Sequence, residues 1–156
     1  MSERFRIRRK FEIQNPPKKK FEIIQDPQEV NDDTPISQID PISEGGLTPR
    51  NRGDLDHFVE APLLEACQIL FDKGIKTIFS SANKNDLSNQ EAYIAIDYST
   101  LSPYNQRIAK SLGEIHMAHG SVPAPAVNLM IPIEQNTTVG QVRNAARLLV
   151  SKFKQQ

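Results

Sequence analysis

Apolar positions recur with a sustained helix or strand period from about His57 onward, and upstream of it the only regular alternation lies in the first 25 residues. In "PLLEACQILFDKG", Leu63, Ala66, Cys67, Leu70 and Phe71 recur at helical spacing, with Pro62 suited to the first turn and Gly74 to the position after the last. This predicts a helix. "IKTIFSS" is short and β-branched, and "AYIAIDY" sets Ile94, Ile96 and Tyr98 against Tyr93, Ala95 and Asp97, so both read as strands. The polar loop between them, about ten residues, is shorter than a parallel crossover needs, so the two strands should pair antiparallel.

Ser102 and Pro103 open the next segment and Gly120 closes it. Tyr104, Ile108, Leu112, Ile115 and His119 fall within about 80° of one another at helical spacing, which predicts one helix over 102–119. "AVNLMIPI" reads as a third strand, with Pro132 confined to its end. Thr138 and Gln141 then make a capping-box pair, opening a helix with Val139, Val142, Ala146, Leu149 and Phe153 on one face. The order helix, strand, strand, helix, strand, helix points to an α+β fold. It should be a small two-layer sandwich, helices on one face of a mainly antiparallel sheet, with a ferredoxin-like split β-α-β as the closest arrangement. That arrangement needs one more strand, and the N-terminal region or "HFVE" are the candidates.

In "RFRIRRKFEI" the odd positions are Phe5, Ile7, Arg9, Phe11 and Ile13 while every even position from Arg4 to Glu12 is charged, and Phe21 and Ile23 repeat the pattern in a second Lys-Phe-Glu-Ile. The intervening "NPPKK" suits an extended rod better than a tight turn, so the two segments favour separate addition to a sheet edge. That edge can belong to this domain, a neighbouring copy or a partner protein. Phe11, Ile13, Phe21 and Ile23 are the partner-binding candidates. The chain therefore divides into a basic, strand-prone arm (1–30), an acidic Pro/Gly/Ser-rich linker or draped segment (31–56) and a compact α+β domain (57–156).

Composition adds a charge asymmetry to this division. The 156 residues carry 38% hydrophobic and 24% charged residues, which suits one globular core. Net charge is zero, yet residues 1–20 hold eight Lys/Arg against two Glu and residues 21–60 hold two Arg against ten acids. The basic head could meet a polyanion; nucleic acid is a weaker expectation, because the remainder is near neutral and lacks an RNA-module signature. Cys67 is the single cysteine, which excludes an internal disulfide, and neither a membrane-spanning run nor a secretory signal is present, so the chain reads as cytoplasmic.

Candidate chemistry is sparse. With the second helix running back across the sheet, Ser80, Ser81, Asn83, His116 and His119 would share one edge. Ser81 would be the nucleophile and His116 the base of a hydrolase, or Ser80, Asn83 and His119 would hold a small polar ligand. The plainer reading of His119 is a histidine at a helix C-terminus, packed on the apolar stripe. "HMAH" is short of the three or four ligands of a zinc site, and nucleotide, dinucleotide and α/β-hydrolase motifs are missing, so no cofactor or metal is expected. The leading expectation is a non-enzymatic interaction module whose arm adds strands to a partner or a neighbouring subunit, with homo-oligomerisation as one outcome.

Overall fold

A computed structural model describes residues 30–42, 51–119 and 123–156. The chain divides into two units, 1–30 and 31–156, and every described helix and strand belongs to the second. The arm residues Phe11, Ile13, Phe21 and Ile23 lie outside the described residues.

Among the described residues, four α-helices and one four-stranded sheet make the body: α1 (Leu55–Phe58), α2 (Ala61–Asp72), β1 (Thr77–Ser81), β2 (Glu91–Asp97), α3 (Pro103–Leu112), β3 (Ile115–Ala118), β4 (Ala124–Pro132) and α4 (Val139–Val150). The sheet order is β1-β2-β4-β3 and every pairing is antiparallel. The fold is α+β. β2 and β3 both pair with β4, so they run in the same direction on either side of it, and α3 joins them. That is a split β-α-β, compatible with a ferredoxin-like arrangement.

Local chemistry accounts for the element ends. α2 stops in a Schellman motif: Gly74 has φ +78°, its N–H donates to the Phe71 carbonyl, and the Ile75 N–H donates to the Leu70 carbonyl. At the start of α4, the Thr138 hydroxyl accepts from the Gln141 N–H while the Gln141 side chain accepts from the Thr138 N–H, the reciprocal capping box. Ser102 caps α3 by accepting from the Asn105 N–H.

One residue pattern separates core from surface on the sheet. Register pairs Ala92 with Ile131, Ile94 with Leu129 and Ile96 with Val127, and all six are almost wholly buried. Ser80 pairs with Ile94 and hydrogen-bonds the Cys67 thiol, so this face looks toward α2. Leu63, Ala66 and Leu70 of α2 and Val139, Val142, Ala146 and Val150 of α4 are buried in the same core. Residues 31–42 belong to the packed body too: Ile36 and Ile39 are buried, and the Ile36 N–H donates to the Thr137 carbonyl.

Three expectations are corrected. The helix drawn over 102–119 ends at Leu112, and Ile115–Ala118 forms the fourth strand instead. Tyr104 of the expected apolar stripe is exposed, while Asn105 and Ala109 are the buried positions of α3. "HFVE" supplies no strand, because Leu55–Phe58 is helical.

Candidate functional site

The relocation of His116 dissolves the expected catalytic edge. Ser81 ends β1 on one margin of the sheet, and His116 lies in β3 on the other, so β2 and β4 stand between them. Three strand spacings put them about 14 Å apart across the sheet. They are offset along it as well: Ser81 is level with Tyr93 and Met130, His116 with Ala126 and Asp97. His116 Nε2 meets Asn128 Oδ1 at 2.9 Å. His119 follows the end of β3 and is exposed. Among the described residues, no group of three or more His, Cys, Asp or Glu side chains is placed to hold a metal.

What the structure does bring together at the β1 margin is a closed polar network. Buried Glu60 accepts from the Ala82 N–H (2.8 Å), the Ile42 N–H (2.8 Å) and Asn83 Nδ2 (3.2 Å). Ser81 Oγ donates to Asp86 Oδ2 at 2.7 Å and accepts from Asn83 Nδ2 at 3.1 Å. Asp86 also accepts from the Asn83 N–H, and Asn83 Oδ1 accepts from the Asn85 N–H. Burial, then the charges of Asp86 and Glu60, push the neighbouring Tyr93 phenol up from its ordinary 10.0. The Ser81 hydroxyl is thus tied to a carboxylate that also caps the 3-10 turn Lys84–Ser88, and the network holds the β1–β2 connection in shape. Ser80 faces the core beside Cys67, away from Ser81.

The opposite margin is built differently. The chain leaves α3 in extended form at Gly113, which passes so close to β4 that an added Cβ would stand 2.9 Å from the Asn128 carbonyl oxygen. β3 then pairs only along its inner side, through Ile115 with Val127 and Met117 with Pro125. Its outer side pairs with no described strand. Ile115 is 43% and Met117 52% exposed. Natural sheets guard such margins with charges, prolines or bulges, whereas "IHMA" contains no Lys, Arg, Asp, Glu or Pro. At the β1 margin, by contrast, Glu60 and the Ile39 carbonyl take up the N–H groups of Ala82 and Lys84 just past the strand.

Sequence reasoning missed this margin because Ile115 continued a helical stripe. The signal available was slight, Gly113 as a break in the helical pattern with Ile115 and Met117 two apart just beyond it. Comparison with protein-family models, with curated proteins and with solved structures finds no match for the chain.

Proposed function

We propose that this protein is an interaction module that works by strand addition: β3 is a receiving edge, and the alternating segments around Phe11 and Ile13 and around Phe21 and Ile23 are strands offered to a neighbouring copy or a partner. The observation that carries this reading is the outer edge of β3, which pairs with no described strand and whose residues include no Lys, Arg, Asp or Glu, with Ile115 and Met117 exposed on the sheet face beside it. Strand addition gains affinity from main-chain hydrogen bonds and specificity from alternate side chains. The arm sequence supplies such an alternation at Phe11 and Ile13 and at Phe21 and Ile23, each pair flanking a glutamate, with Arg9 interrupting the apolar series upstream.

The test is a labelled synthetic peptide covering residues 8–25, titrated by fluorescence anisotropy into the full chain. Saturable binding is expected, weakened about tenfold or more by Met117→Lys, since a charge on the receiving edge opposes strand pairing. Met117 is half exposed, so a thermal melt of the variant should match the parent. Absence of binding, or binding indifferent to Met117→Lys, refutes the proposal.

A further inference from the structure

The fold assembles a second surface, on α3 and the segment after α4, that the strand-addition reading leaves unused. Asn105 is fully buried and clamps the two together: its Nδ2 donates to the Lys154 carbonyl and to Gln156 Oε1, and its Oδ1 accepts from the Lys154 N–H, each at 2.9 Å. Lys154 is thereby held against α3, with Nζ 4.3 Å from the Tyr104 ring centroid. Arg107 lies 5.9 Å from the same ring. Gln106 ties Tyr98 to the helix through its carbonyl, and Lys110 Nζ stands 5.8 Å from the Tyr98 ring.

The charge is one-sided. Residues 98–113 and 147–156 together contain five Lys/Arg and no Asp or Glu. None of Arg107, Lys110 and Lys154 forms an ion pair with a described carboxylate. Asp97, which precedes the stretch, is turned inward with its side chain 7% exposed, accepts from Ser99 N–H and Oγ, and sits 4.0 Å from Lys76. Cations over tyrosine rings at exposed sites gain only about 0.5–1 kcal/mol each, so the rings do not by themselves account for three cations gathered with no partner among the described carboxylates.

We propose that this face binds single-stranded nucleic acid, with phosphates on Arg107, Lys110 and Lys154 and bases against Tyr104 and Tyr98. A duplex or an anionic membrane would use the charges alone. Tyrosine faces interleaved with cations are what unpaired bases require, because stacking gives about 1–3 kcal/mol per base whatever the sequence. Tyr104 is 37% exposed, and Lys154 and Arg107 can exchange its ring for a phosphate while a base takes their place.

Fluorescence anisotropy with a labelled oligothymidylate of about twelve nucleotides, long enough for such a site, tests this on the full chain. Arg107→Gln/Lys110→Gln/Lys154→Gln should weaken binding about tenfold or more and flatten the log–log salt slope by about 2, since each lost phosphate contact on a single strand removes about 0.7. Tyr104→Leu should weaken oligothymidylate about fivefold or more while leaving heparin, a polyanion without bases, unaffected. If the triple variant binds as the parent does, the basic head alone is responsible and the assignment fails. It fails equally if the parent does not bind, if Tyr104→Leu leaves oligothymidylate binding unchanged, or if it weakens both ligands alike. Circular dichroism melts of both variants, expected to overlay the parent's, separate lost binding from lost fold.

Discussion

Cys67 shows how a single buried group sets a pH dependence. It lies on the sheet-facing side of α2, and burial pushes its thiol up from 9.0 to about 12, slightly relieved by the hydrogen bond with Ser80. The folded chain therefore holds this proton more tightly than the unfolded one. Stability from the neutral thiol is fully present below pH 9 and drains away as pH rises toward 12, at a rate approaching about 1.4 kcal/mol per pH unit. Tyr93, raised from 10.0 by burial and then by Asp86 and Glu60, adds a loss of the same sign at higher pH, so the thiol is best read between about pH 8 and 10. Urea titrations in that window should show parent stability falling and Cys67→Ala falling less steeply. Equal slopes would assign the alkaline loss to other groups. The same burial keeps the thiol from alkylating reagents until the chain unfolds.

Gly113 divides two readings of one stretch, and they differ in the sign of a mutation. If 102–119 were a continuous helix, Gly113→Ala would be a helix-interior replacement and would stabilise by about 0.5–1 kcal/mol. In the structure Gly113 ends α3 with φ −173°, and a Cβ there meets the Asn128 carbonyl at 2.9 Å and Val127 Cγ1 at 3.1 Å. Gly113→Ala should therefore destabilise, by about 1–3 kcal/mol, the usual range for an overpacked site, and hydrogen exchange should quicken at β3 before the rest of the sheet. A stabilised variant would return 113–119 to a helix. Sequence made β1, β2 and β4 legible through β-branched runs and alternation, and the helices through their end signals: Gly74 after α2, Ser102 and Pro103 before α3, Thr138 with Gln141 at α4. β3 was not legible, because four residues are too few to show a period of their own and the stripe from Tyr104 runs through Ile115 at helical spacing. The pairing with β4 decides the matter, and only the tertiary structure shows it. The expected Ser81 and His116 pairing fell with that one misassignment, since a helix would have carried the histidine back to the β1 side.

The buried apolar residues described run from Ile36 to Phe153, so the body defined by residues 31–156 holds a core that draws on α1, α2, α4 and the sheet. Its charges are sorted within it: residues 31–60 carry seven acids against two Arg, and the α3 face with the segment after α4 carries only bases. A basic arm that adds to other chains, as proposed, makes a joint prediction for removal of residues 1–29. The thermal midpoint should move by less than about 2 °C, well under the shift of about 4 °C that 1 kcal/mol brings in a domain of this size. Oligothymidylate binding should survive in the truncated chain, because Arg107, Lys110 and Lys154 remain, although its salt slope should fall with loss of the head's cations. A drop of about 5 °C or more, on the order of 1 kcal/mol, would instead make the arm a strand of its own sheet. In that case the β3 edge would be occupied in cis, and the peptide titration would fail in the full chain but succeed in the truncated one, whereas a free edge binds the peptide in both.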